Sequence, residues 1–217
     1  MSESLAQIHH WLFNKIKIVN NRENLIMQSF PDDADIVESV REMVSQSIGG
    51  SSFNQELEQI IDHSNIHQWL ARQINLVEAR EAYIIKELMN MMDHDIRVTI
   101  EEIFKKDGFS YGKEAVTFSK GVSTAPELYQ TLNDYYLNGM PCDKCDIVKQ
   151  ISPNIMIWEN EQWQQQANWQ RVGVNSSLME EFYLSWLKSF ITGANCSFSL
   201  EFNKQNAVNV FTLKKLD

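Results

Sequence analysis

The sequence predicts an α+β protein: a helical N-terminal part that carries one helix twice, then a small antiparallel sheet with helices packed on one face. Three observations predict it. Apolar residues recur at helical spacing through about the first hundred positions, and one amphipathic segment occurs there twice. Four short segments in the second half read as strands. Two Ser/Thr-x-x-Glu capping patterns place helices beside them. The expected division falls near Lys106–Phe109, giving a helical region over 1–106 and an α+β region over 107–217.

In the first part, Leu5, Ile8, Leu12, Ile16, Val19 and Ile26 set a helix over 4–29, which Pro31 ends. Asp32 or Asp33 caps a second helix over 33–48, closed by Gly49-Gly50. GGSS (49–52) is a loop. A long helical pattern follows over 54–106, bent near Asp93-His94-Asp95 and stopped by Gly108.

Residues 8–26 and 66–84 are copies. Ile8/Ile66, His9/His67, Trp11/Trp69, Leu12/Leu70, Ile16/Ile74, Val19/Val77, Arg22/Arg80, Glu23/Glu81 and Ile26/Ile84 are identical. There is no third copy, so the pattern is a duplicated helix and not a solenoid. Ile8, Leu12, Val19 and Ile26 form one apolar stripe, with Trp11, Ile16 and His9 at its margins. Arg22 and Glu23 also fall near that stripe, where charged side chains are rarely found without partners. Two arrangements fit. In an antiparallel pair His9 faces Glu81, His67 faces Glu23, and each Trp approaches the other copy's Arg. In a parallel pair the two histidines meet.

In the second part, FSYGKEAVTFSKG (109–121) reads as irregular, with room for a short strand. Thr124 and Glu127 box the start of a helix over 125–138. NGMPCDKC (138–145) is a loop by its Gly and Pro. CDIVKQI and NIMIWEN are two strands joined at Ser152-Pro153-Asn154. Ser177 and Glu180 open a helix that Gly193 ends. CSFSLEF alternates strictly, with Cys196, Phe198, Leu200 and Phe202 on one face, and NKQN turns the chain into a last strand, AVNVFTLKKL.

The chain has a formal net charge of −10 and no sustained basic patch. Nucleic-acid backbones and anionic membrane surfaces are therefore not the expected partners. The N-terminus lacks the basic and apolar regions of a signal peptide, and no stretch reaches the roughly 18–20 apolar residues of a membrane span. Three cysteines without an export signal read as reduced thiols of a cytoplasmic protein.

His63 and His67 are spaced i, i+4 with Asp62 beside them, a spacing that presents two imidazoles to one metal when it lies on a helix. The alternative is two surface histidines. Cys142 and Cys145 form a CxxC in a loop, suited to zinc, another transition metal or redox exchange, or else two ordinary thiols. Trp158, Trp163, Trp169, Phe182, Tyr183 and Trp186 concentrate aromatic area over 158–190. They are either core or the lining of a pocket for a small, partly apolar ligand. Phosphate-binding glycine loops, a GxSxG elbow and a glutamate–histidine metalloprotease helix are absent from the sequence.

IDHSNIHQWLARQIN resembles a metal-bearing helix of the DinB-type four-helix bundles, which implies a metal at His63 and His67 with a further histidine. The order CDIVKQISPNIMIWENEQW, RVGV, LMEEFYLSWLKSFITGAN and CSFSLEF resembles the L-2-amino-thiazoline-4-carboxylic acid hydrolase family and the related small-molecule-binding vinyl-4-reductase domains. That resemblance, over about 75 residues, implies a small-molecule-binding fold. The cysteine of those families after the strand pair has no counterpart around Asn160–Trp163, and Cys196 is the one match for the later cysteine.

The expected function is a cytoplasmic bacterial sensor or accessory protein that binds a small, partly apolar ligand. Its N-terminal helices offer a surface for a homodimer. The alternatives are a metal- or thiol-dependent hydrolase related to the amino-thiazoline carboxylate hydrolases, and a helix-mediated interaction module.

Overall fold

The computed structural model describes residues 5–51, 53, 55–117, 121–143 and 145–216. The fold is α+β. Along the chain come α1 (Gln7–Gln28), a 3-10 turn (Pro31–Asp33), α2 (Ala34–Ser47), α3 (Leu57–Ile60), α4 (Ile66–Met91), α5 (Arg97–Thr117) and α6 (Ala125–Tyr135). Then follow β1 (Ile147–Ile151), β2 (Ile155–Asn160), α7 (Gln166–Arg171), α8 (Ser176–Ala194), β3 (Phe198–Gln205) and β4 (Val208–Lys215). Two compact units result: Met1–Ile100 with Ala167–Ser176, and Glu101–Gln166 with Ser177–Asp217. The expected boundary at 106 falls inside α5.

In the first unit the two copies of the repeated segment become α1 and α4, which pack in parallel. The rings of His9 and His67 lie 5.6 Å apart at one end, while Arg22 and Glu81 meet farther along. The apolar stripes account for this packing. Leu12, Ile16, Val19 and Ile26 are buried, and so are Leu70, Ile74, Val77 and Ile84 at the matching positions. Each such burial contributes roughly 1.5–3 kcal/mol. Ile8 departs from the expected stripe: it is exposed, while its copy Ile66 is buried. Val37, Val40 and Val44 form the buried face of α2, which packs on α4.

The start of α4 is set locally. Asp62 Oδ1 accepts from the Ser64 amide at 2.9 Å, which makes a turn, and Asn65 Oδ1 then caps the helix by accepting from the Gln68 amide at 3.2 Å. α4 ends at Met91 and α5 begins at Arg97, where Asp95 Oδ1 accepts from the Arg97 amide, close to the expected bend.

In the second unit, α5 runs through Gly108 to Thr117, so Gly108 is not a stop and 109–117 are helical. The glycines serve close approach. A Cβ on Gly108 would collide with the Trp186 carbonyl, one on Gly112 with that of Phe190, and one on α8's Gly193 with that of Phe109. Their absence lets α5 and α8 touch backbone to backbone. Thr124 and Glu127 form the expected reciprocal capping box of α6. The sheet is antiparallel in the order β1-β2-β4-β3. Its buried face carries Met156, Trp158, Phe198, Leu200, Phe211 and Leu213, and α6 packs against β2 and β4. β3 begins at Phe198, so Cys196 lies exposed ahead of the strand instead of on its face. The β3–β4 turn sits at Asn206 and Ala207, both with positive φ. The expectations placed on Ser4, Ser52, Asn54, 118–120 and Lys144 lie outside the described residues.

Candidate functional site

The repeat does more than pair two helices. Arg80 donates from Nε and Nη2 to the two carboxylate oxygens of Glu23, and Arg22 Nε donates to Glu81 Oε1 at 2.7 Å. All four side chains are buried. The pattern is a twofold exchange: each copy's arginine takes the other copy's glutamate. Charge-assisted pairing of this kind is what permits charged groups on a buried face. Arg80 Nη1 also donates to the Gly49 carbonyl. Gly49, with φ near 114°, is the left-handed residue that closes α2. The helix pair therefore fixes where α2 ends.

That end forms one wall of a cleft of about 630 Å³. Ser47 and Ile48 come from the end of α2, Arg72, Asn75, Leu76 and Tyr83 from α4, and Arg171 and Val172 from the segment 167–176. The walls are held by polar contacts. Arg171 Nη2 donates to the Asn75 carbonyl at 3.1 Å, and Lys86 Nζ donates to the Val172 carbonyl at 3.1 Å. The Ser47 and Tyr83 hydroxyls lie 3.4 Å apart. Lys86 Nζ stands 5.3 Å from the Tyr83 ring centre.

Behind this wall lies a buried acid. Asn168 Nδ2 donates to Asn75 Oδ1 at 3.0 Å and to Glu78 Oε2 at 2.7 Å. Glu78 Oε1 is buried and has no hydrogen-bond partner among the described residues. Burial pushes the Glu78 carboxyl up to about 8, against the opposing Asn168 bond; Glu81 adds to the rise and Arg171 opposes it. A carboxyl raised in this way is mainly protonated at neutral pH.

The cleft residues were not singled out from sequence. A signal for them exists in the repeat itself. Arg72, Asn75, Glu78 and Tyr83 replace Asn14, Lys17, Asn20 and Leu25 of the first copy. The kept Arg and Glu positions join the helix pair, and four of the positions that differ, Arg72, Asn75, Leu76 and Tyr83, line the cleft.

The expected site residues are distributed otherwise. Trp158, Trp163, Trp169, Phe182, Tyr183 and Trp186 are all core side chains, none more than 4% exposed. Trp169 belongs to the first unit and the rest to the second. In the second unit Trp158 stacks on Phe211 with ring centres 5.2 Å apart, Trp163 meets Phe211 edge-on at 5.6 Å, and Trp186 stacks on Phe190 at 5.3 Å. Phe182 and Tyr183 pack on Phe104. Trp158 also lines a void of about 10 Å³, beside Asp146, which accepts from the Tyr129 hydroxyl and Asn160. Such a void is about the size of one water.

His63 and His67 do not share a helix face. The Asp62–Ser64 turn and the Asn65 cap start α4 at Ile66, which leaves His63 in the preceding loop, bonded to the Glu58 carbonyl at 3.1 Å. His67 meets His9 instead. Cys142 is exposed, and Cys145 lies 3.9 Å from the Asn138 carbonyl. Burial, with Asp143 and Asp146 nearby, pushes the Cys145 thiol up to about 11, which disfavours the thiolate. Among the described residues no group of three or more His, Cys, Asp or Glu side chains is placed to hold a metal ion.

Compared with known protein families, curated proteins and solved structures, the chain matches none.

Proposed function

We propose that the protein binds a small, partly apolar ligand in the cleft between the end of α2, α4 and residues 171–172, as a sensor or accessory protein. One observation carries this reading. The cleft of about 630 Å³ combines apolar surface from Ile48, Leu76 and Val172 with converging polar groups from Arg72, Asn75, Tyr83 and Arg171. Small-molecule sites generally enclose about 300–1,000 Å³ and pair apolar walls with a few placed polar groups. The aromatic side chains of 158–190 are occupied with core packing and do not supply this lining, apart from their neighbours Arg171 and Val172.

A thermal-shift screen of small aromatic and aliphatic fragments, acids, bases and neutral compounds alike, tests the reading. Stabilisation by a subset, lost in a Leu76→Trp variant that fills the cleft, is the expected result. Stabilisation that survives Leu76→Trp, or no stabilisation by any fragment, overturns it.

A further inference from the structure

Resting on that reading, we propose that the cleft selects a small monoanionic carboxylate, with Arg171 and Arg72 facing the carboxylate and Leu76, Tyr83 and Val172 facing its apolar body.

Charge makes the first argument. The chain carries 29 acidic and 19 basic side chains. Arginines in so acidic a chain have carboxylates to pair with, and the buried Arg22 and Arg80 do pair. Among the described residues neither Arg72 nor Arg171 stands within ion-pair distance of a carboxylate, and both line the cleft. Asp62 acts on Arg72 and Glu78 on Arg171 from beyond ion-pair distance, so the two guanidinium groups on one concave wall keep donors open to a further anion.

Geometry makes the second. The bond from Arg171 to the Asn75 carbonyl uses one of its donors and brings the side chain to the wall. A guanidinium carries five donors in a planar fork that matches a carboxylate.

The class of anion follows from the backbone. The α4 residues of the cleft lie inside a helix, where their amides are used in helical bonds. The other walls come from the C-terminal ends of α2 and α7. Helix C-termini carry partial negative charge, and phosphate sites usually draw on helix N-termini or exposed amides. That charge opposes any anion, a dianionic phosphate more than a singly charged carboxylate, and the two guanidinium groups are what offset it. The apolar share of the lining then requires a hydrocarbon body.

Calorimetric titration of the full chain with phenylacetate, phenylacetamide and inorganic phosphate tests this. Phenylacetate is expected to bind at least about tenfold more tightly than either of the others. Arg171→Gln and Arg72→Gln should each weaken phenylacetate binding by about tenfold or more while leaving the amide unchanged, and Arg171→Lys should retain part of it. Unchanged thermal melting of the variants separates this from a folding defect. Equal binding of acid and amide, tighter binding of phosphate, or indifference to both arginine substitutions overturns the carboxylate inference. Ligand binding in the cleft stands in those cases if the fragment screen finds stabilisation that Leu76→Trp removes; it falls if that screen is empty or its stabilisation survives Leu76→Trp.

Discussion

Arg80 holds Glu23 in a two-pronged, buried ion pair that joins the second copy of the repeated helix to the first. The same arginine reaches the Gly49 carbonyl at the end of α2. One side chain thus links the helix duplication to the wall of the cleft.

This pair should be costly to break from one side. Glu23→Gln leaves a buried guanidinium without its counter-charge and is expected to destabilise the first unit by about 3–5 kcal/mol. Replacing both partners, as Glu23→Leu with Arg80→Met, should cost clearly less than the two single changes added together. Urea denaturation of the four proteins of this cycle reads the coupling directly. Strictly additive losses would show that the two groups do not depend on each other.

Glu78 gives a pH dependence with a definite sign. Its carboxyl titrates near 8 in the folded chain and near 4.5 when unfolded. Between those values the folded chain keeps a proton that the unfolded chain releases. The contribution of Glu78 to stability is therefore full below pH 4.5 and falls by about 1.4 kcal/mol per pH unit up to pH 8. The groups facing it are Glu81, itself paired with Arg22, and Arg171 and Asn168 from 167–176. Glu78→Gln keeps an acceptor for Asn168 and removes the titration. The variant should gain on the native protein steadily as pH rises through this window, measured by denaturant titrations at several pH values. A constant difference would contradict the buried neutral acid.

Gly108→Ala and Gly112→Ala each place a Cβ against the backbone of α8. Each should destabilise the second unit by about 3 kcal/mol or more, as overpacking against an unyielding neighbour does. Gly50→Ala meets nothing within 4 Å and is the control, expected within about 0.5 kcal/mol of the native protein. Thermal unfolding of the three variants decides the matter.

Ala207 sits at φ of 65° in the β3–β4 turn, following Asn206 at 51°. Glycine tolerates that conformation better, and Asn-Gly is the favoured pair for a two-residue hairpin. Ala207→Gly should leave the fold intact and stabilise it by roughly 0.5–1 kcal/mol, seen as a higher melting temperature. A lower melting temperature would argue for a different turn.

Much of the fold was legible because short-range chemistry decides it. The Thr124–Glu127 box, the break near Asp93–Asp95, the strand pair around Pro153 and the strict alternation of β3 all depend on neighbours in sequence. Failures came where a distant partner decides. Gly108 reads locally as a stop, but it is a contact point for α8, some eighty residues away. His63 and His67 read as a helical pair until the Asp62 turn and Asn65 cap move the helix start. The repeat was visible, but two packings fitted it, and only the three-dimensional pairing of Arg22 with Glu81 selects the parallel one. The cleft escaped because Arg171 and Arg72 lie about a hundred residues apart. Its trace was partial: Arg72, Asn75, Leu76 and Tyr83 are among the α4 positions at which the second copy departs from the first.

The central claim is that the cleft, and not the aromatic core, receives the ligand. Amide chemical shifts of isotope-labelled protein, followed during titration with phenylacetate, test it most directly. The expected result is a saturable set of shifts confined to 47–48, 72–83 and 171–172. Shifts centred instead on Trp158, Trp163 and Trp186, or none at saturating ligand, would contradict it.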